Sequence, residues 1–187
     1  MSQAIRAFTQ SFSGISLILT TPVLIYKAFN PKKVKELPPH KQYRAVWDTG
    51  ATHCAISKKV IDDLLLQPSS VTNVQSIDGY FEKSVYLINI MLPNEFGIPF
   101  IEATEAKFHE EEKEDIIIGM DIIRRGDFVV TNKNNKTVFS FRTPSVECID
   151  FVKQIEKIKY SGTRPNSPCP CNSGKKFKDC HGKAPQK

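Results

Sequence analysis

Residues 45–52 read Ala-Val-Trp-Asp-Thr-Gly-Ala-Thr, an apolar run that ends in a carboxylate and continues into a hydroxyl and a glycine. That order suits a buried strand ending in a tight turn where charge is held by the backbone rather than solvated on a surface. Asp48 is therefore a candidate catalytic group. A plainer reading stands beside it: Asp-Thr-Gly can cap a turn ahead of a helix anywhere.

Outward from this turn the pattern predicts a mostly β body. Tyr43–Trp47 is the strand that delivers Asp48, and Ile56–Leu66, with apolar residues at helical spacing and Ser57 as N-cap, is predicted as a helix. Upstream, Ile15–Leu19 and Val23–Tyr26 are predicted as strands joined or bent at Pro22, followed by a polar loop over 32–40. Downstream, Val71–Met91 forms a hairpin about the Asp78-Gly79 turn signal, and Phe100–Ala106 is a further strand. An acidic connection over 109–114 leads to the apolar strand Ile116–Ile118, which ends in Gly119. A short helix over 121–125 follows with Asp121 as N-cap, and then a second hairpin of Phe128–Thr131 and Thr137–Phe141.

The strand, the Asp-Thr-Gly-Ala-Thr turn and the later Ile117-Ile118-Gly119 together resemble a retropepsin-like aspartic protease over roughly residues 12–145. The resemblance implies an acid-protease barrel with short helices, a catalytic Asp48, a Thr49 hydroxyl that braces two active-site loops, and a Gly50 amide that hydrogen-bonds the carboxylate. It also implies a substrate-covering flap near Ile77, Asp78 and Gly79, although that stretch lacks the multiple glycines of some viral flaps. The chain has one such turn, whereas peptide hydrolysis of this type uses two carboxylates sharing a proton. Homodimerisation, with Asp48 contributed by each copy, a peptide or unfolded protein as substrate and no cofactor for catalysis, is the consequence. Two other classes compete: a catalytically inactive dimeric peptide-binding or adaptor protein, and the phosphate-binding turn of sugar-kinase and actin-like ATPases. The second needs two large α/β domains and a second Gly-rich loop, which this sequence does not offer.

The other informative stretch is Cys-Pro-Cys-Asn-Ser-Gly-Lys-Lys-Phe-Lys-Asp-Cys-His-Gly at 169–182. Three thiolates and an imidazole suit tetrahedral zinc, and the Asn-Ser-Gly turn lets the two pairs reach one ion. Cys169, Cys171, Cys180 and His181 are the predicted ligands, and four protein ligands leave no open position, so the metal is structural. The segment resembles the SEC-C motif, found at the C-terminus of a preprotein translocase ATPase and appended to many bacterial proteins. That resemblance implies a ribosome, nucleic-acid or protein partner for Lys175, Lys176 and Lys178 around Phe177. The same lysines also read as a solvated surface on a zinc-stapled cap.

Composition agrees with one ordinary core plus an appendage: of 187 residues, 40% are apolar and 25% charged. Residues 153–187 carry nine basic and two acidic side chains, leaving 17 and 18 for the rest, so the net charge of +6 belongs to the tail. Such a tail favours phosphate-rich or acidic partners in a salt-sensitive way. Of five cysteines, three crowd into the tail, which favours metal over a disulfide framework and leaves Cys54 and Cys148 as reduced, buried thiols. His40, His53 and His109 receive no role, and His53 is read as a surface residue at a helix start. The apolar stretch 15–29 is interrupted by Thr20, Thr21, Pro22 and Lys27, which argues against a membrane span or signal peptide and sets a cytoplasmic expectation. The expected domains are a protease domain over 1–147, an amphipathic helix over 148–160 able to dock on the core, a linker over 161–168 and a zinc module over 169–187.

Overall fold

The structure, a computed structural model, describes residues 4–76, 79–108 and 113–183. The chain divides into two compact units, Met1–Val146 and Glu147–Lys187. The first contains β1 (Arg6–Ser11), β2 (Thr20–Lys27), β3 (His40–Trp47), β4 (Ala55–Ile56), α1 (Lys58–Asp63), β5 (Ser70–Ser76), β6 (Gly79–Met91), β7 (Gly97–Glu105), β8 (Ile116–Ile118), α2 (Met120–Ile123), β9 (Asp127–Thr131) and β10 (Val138–Thr143). The second contains α3 (Phe151–Lys159) and a single 3-10 turn at Phe177–Asp179. The protein is mostly β, as the apolar alternation predicts. Among the described residues no helix is long and apolar enough to cross a membrane.

Seven strands run in the order β2-β3-β8-β4-β7-β6-β5, and β2 also pairs with β6. That pairing closes a ring of six strands, which leaves fewer sheet edges unpaired than an open sheet would. Ile25, Ile56, Ile88, Ala103, Ile116 and Ile118 are fully buried inside it, each isoleucine contributing roughly 2 kcal/mol through burial. A three-stranded sheet, β1-β10-β9, is joined to the same core by aromatic packing. Trp47 stacks on Phe128 with ring centres 5.8 Å apart and lies 5.7 Å from both Phe8 and Phe139 and 5.1 Å from Phe141. Its indole N–H donates to Thr21 Oγ1 at 2.9 Å, so the buried ring carries no unpaired polar atom.

Several local expectations change. Residues 15–19 form no strand, and Leu17 and Ile18 are exposed. The β segment instead starts at Thr20 and runs through Pro22, which is opposite Arg44 of β3 where β6 has not yet joined on the other side. A proline is tolerated there because its missing N–H faces no ladder. Strand β1 escaped the sequence reading because Phe8 is its one large apolar residue; its partner β10 supplies the context. The predicted helix over 56–66 contracts to α1, since Ile56 is taken into β4 beside β7 and β8. Ser57 does cap α1, its side chain accepting from the Val60 N–H. Asp121 is not an N-cap: Gly119 occupies that position and Asp121 lies in the first turn of α2. Both predicted hairpins form, with β5 and β6 paired from Ser70↔Val85 to Ser76↔Gly79.

The β9–β10 hairpin is anchored by Asp127, whose carboxylate accepts from Arg142 Nε at 2.9 Å, the Ser145 hydroxyl and the Val146 N–H at 2.9 Å. The Ser145 and Val146 donors, with the Arg142 guanidinium, hold its carboxyl well below the usual carboxylate range. A depressed folded-state value means the stabilisation is present above the unfolded value, about 3.9, and is lost as pH falls below it. We expect Asp127→Asn to lower stability by about 2 kcal/mol at neutral pH, with the gap to the unaltered protein closing below about pH 3. Urea melts at both pH values check this; an equal gap at both would assign the loss to packing instead.

Candidate active site and candidate metal centre

The Asp48 turn owes its position to an interleaved topology. Strand β8 runs parallel to β3, with Ala45↔Ile116, Val46↔Ile117 and Trp47↔Ile118, and antiparallel to β4, with Ala55↔Ile117. The segment from 48 to 54 therefore passes over the end of the strand that separates its own two flanks. Backbone bonds tie it down: Asp48 N–H donates to Ile118 O at 3.0 Å, Met120 N–H to Ala51 O at 2.8 Å and Asp121 N–H to Thr52 O at 3.1 Å. Gly119 makes this approach possible, because a Cβ there would lie 2.7 Å from the His53 carbonyl and 2.8 Å from Ala51 O.

Within the turn the Gly50 N–H donates to Asp48 Oδ1 at 2.8 Å. Side chains alternate along β3, so Tyr43, Ala45 and Trp47 are buried while Asp48, one residue beyond, is exposed, as are Thr49 and Gly50. The expectation of a carboxylate withdrawn from solvent is thus corrected for a single chain: the backbone holds the group, and solvent reaches it. Of the predicted flap, Ile77 and Asp78 lie outside the described residues, and Gly79 begins β6 at φ +123°. Tyr80 and Phe81, next along β6, are exposed.

A tether beneath the turn was not foreseen. Asp121 accepts from the Cys54 N–H and from the Cys54 thiol, both at 3.2 Å, so α2 and the end of the Asp48 loop share one carboxylate. Burial and the Asp121 charge push the Cys54 thiol far up, which keeps it protonated and inert. The sequence offered only the ambiguous signal of an acid two residues after Gly119. His53 is exposed in a bend rather than at a helix start, His40 packs against Tyr26 with ring centres 4.7 Å apart, and His109 lies outside the described residues.

In the second unit Cys169, Cys171, Cys180 and His181 bring their ligand atoms within 4.8 Å of one another. Cys169 Sγ is 3.3 Å from His181 Nδ1 and 3.4 Å from Cys171 Sγ, and Cys180 Sγ is 3.6 Å from Cys171 Sγ. Ligands on a tetrahedron around zinc are about 3.7 Å apart, so this donor set fits a metal of that kind. The Ser173 hydroxyl and the Cys169 thiol draw the Cys171 thiol down to about 6, favouring the thiolate a metal requires, whereas burial raises Cys169. Cys148, expected to be buried, is exposed. The expected linker is also more than a spacer: Phe177 N–H donates to Ser167 O at 2.8 Å and Lys178 N–H to Pro165 O at 2.9 Å, so residues 165–168 belong to the folded module.

Among the described residues of its own unit, the apolar stripe of α3, Phe151, Val152, Ile155 and Ile158, is uncovered. Within that unit the helix is held by its ends, Asp150 accepting from the Lys153 N–H at 3.1 Å and the Tyr160 N–H donating to Glu156 O at 3.0 Å. Tyr160, for which the sequence carries no local signal of a site role, lies against His181 with ring centres 4.4 Å apart.

Among solved structures, the chain is similar to a retropepsin-like aspartic protease from Rickettsia conorii, with a TM-score of 0.44 and 9% identity over 76% of this chain and 98% of that one. It is also similar to the EIAV protease in complex with the inhibitor HBY-793, with a TM-score of 0.39 and 17% identity over 57% and 85% of the two chains. Curated relatives are SecA protein translocase subunits. That of Granulibacter bethesdensis is 32% identical over 85 residues, 46% of this chain and 9% of its own, and SecA 1 of Nitrosospira multiformis is 61% identical over 33 residues, 18% and 3%. The chain spans less than a fifth of the length of these translocase subunits. The SEC-C motif matches residues 166–183, a span that holds all four clustered ligands, and the C-terminal unit therefore carries a SEC-C motif.

Proposed function

We propose that the chain is an aspartic endopeptidase that hydrolyses peptide bonds at a homodimer interface, Asp48 of each copy supplying one carboxylate. The observation that supports this most is the Asp48 turn itself: an exposed carboxylate held by the Gly50 amide on a loop fastened to Ile118, Met120 and Asp121. A rigid mount with an exposed acid is what two copies need in order to bring two carboxylates together. One member of the pair would be ionised and would take a proton from the attacking water; the other, protonated, would give its proton to the peptide carbonyl oxygen, and as the C–N bond breaks the first would pass the water-derived proton to the leaving nitrogen while the second regains one from the tetrahedral hydroxyl. Thr49 would brace the two loops, and the β5–β6 hairpin, with the flap residues Ile77, Asp78 and Gly79 expected from the sequence, would cover substrate. The test is cleavage of an unfolded protein at mildly acidic pH, followed as a function of enzyme concentration. Specific activity that falls on dilution supports a shared site; activity from a strict monomer overturns it. Binding of unfolded peptide without cleavage at any concentration would favour the adaptor reading.

The clustered cysteines and histidine are proposed to hold one structural zinc per chain, with no metal in catalysis. The metal would supply the crosslink that this small unit lacks in apolar core. Cys169→Ser and Cys180→Ser are expected to abolish stoichiometric zinc, read by elemental analysis, and to unfold 161–183 without changing peptide cleavage. A tail that stays folded after chelation contradicts the assignment. The basic residues Lys175, Lys176 and Lys178 would recruit a ribosome, nucleic-acid or protein partner. Bacterial relatives of the tail and cysteines gathered for metal rather than disulfides support a cytoplasmic bacterial setting.

A further inference from the structure

Helix α3 spans nine residues, and its apolar side chains are exposed. A helix of that length is marginal in water on its own, and within its own unit the order it gains comes from its ends. The N-terminal end has the Asp150 cap and a Lys153–Asp150 ion pair at 3.5 Å, both solvent-facing and weak. At the C-terminal end Tyr160 closes the last turn, its N–H bonded to Glu156 O, and its ring lies nearly parallel to that of His181, 4.4 Å between centres and 23° between planes. The Phe177 ring is 6.0 Å away, and the Thr163 N–H returns to Tyr160 O at 3.3 Å. The next residues are bonded to the module through Pro165 and Ser167. One face of the His181 imidazole is therefore covered by the residue that ends the helix, while its Nδ1 lies 3.3 Å from both the Cys169 and Cys180 sulfurs.

We propose that Tyr160 is a positioning residue for the metal centre and that, through it, metal loading orders helix α3. This rests on the ligand set proposed above. The stacked phenol restricts the imidazole to the orientation that aims Nδ1 at the sulfurs, so less freedom is lost when a metal binds. Reciprocally, a metal that fixes His181 gives Tyr160 a rigid surface to pack on and stabilises the turn that ends α3. The ring carries the effect, and the phenolic hydroxyl is dispensable. Metal loading then governs whether the exposed stripe of Phe151, Val152, Ile155 and Ile158 is displayed on an ordered helix.

The experiment uses the full chain with zinc alone, reading affinity by chelator competition and amide hydrogen exchange over 151–160 by mass spectrometry. In the unaltered chain zinc should slow exchange of the 155–160 amides about tenfold. Tyr160→Leu, which keeps apolar bulk but not the planar stack, should weaken zinc about tenfold and abolish the added protection, while Tyr160→Phe restores both. Equal exchange with and without zinc in the unaltered chain, or Tyr160→Leu matching it in affinity and protection, overturns the proposal while leaving the ligand set standing. Failure of the unaltered chain to bind zinc removes the ligand set first and the coupling with it.

Discussion

Asp48→Asn should abolish peptide cleavage, by about a thousandfold or more, without disturbing the fold. Asparagine keeps an oxygen to accept the Gly50 N–H at 2.8 Å, and the side chain is exposed, so neither volume nor burial changes. What is lost is the charge that would activate water, and two copies of an amide cannot share a proton between carboxylates. Melting temperature and oligomeric state should match the unaltered protein. Cleavage that persists in this variant removes Asp48 from the chemistry; loss of cleavage together with loss of the dimer shifts its role to assembly.

Gly119→Ala should be the most destabilising single methyl addition at the junction, by about 3 kcal/mol, or about 10 °C in the melt of the N-terminal unit. The added carbon would sit 2.7 Å from the His53 carbonyl and 2.8 Å from Ala51 O, and both neighbours are backbone with nowhere to rotate. Gly50→Ala is the internal contrast. Its Cβ meets only Asp48 Oδ1, at 3.2 Å, the movable end of a side chain, so stability should change by less than about 1 kcal/mol while cleavage suffers. Equal melts for the two variants would contradict the view that Gly119 is the point where the two strands of the site lock together.

How much of this was legible in advance depends on the range of the interaction. Strands β3, β6, β8 and β10 announce themselves by apolar alternation or runs, and Ser57 announces α1 by its place ahead of helically spaced residues. Strand β1 and the entry of Ile56 into β4 do not, because each depends on a partner more than forty residues away. The Cys54–Asp121 tether, 67 residues apart, and the Tyr160–His181 stack, 21 apart, also lie beyond any short local window. Amphipathic spacing in α3 reports that the helix has an apolar face, and among the described residues of its own unit no side chain covers that face.

The sequence by itself determined which groups are candidates for the chemistry: one Asp-Thr-Gly turn at 48–50, a glycine after an apolar strand at 119, and three cysteines with a histidine within 169–181. Those follow from residue type and short spacing, since turns need glycine and metals need thiolate and imidazole whatever surrounds them. Only the tertiary structure decided that β8 passes between β3 and β4, that Asp48 is exposed in the single chain, and that a tyrosine outside the motif lies against a proposed metal ligand. Those are matters of which distant surfaces meet, fixed by packing and backbone pairing across the whole fold rather than by the preferences of any segment.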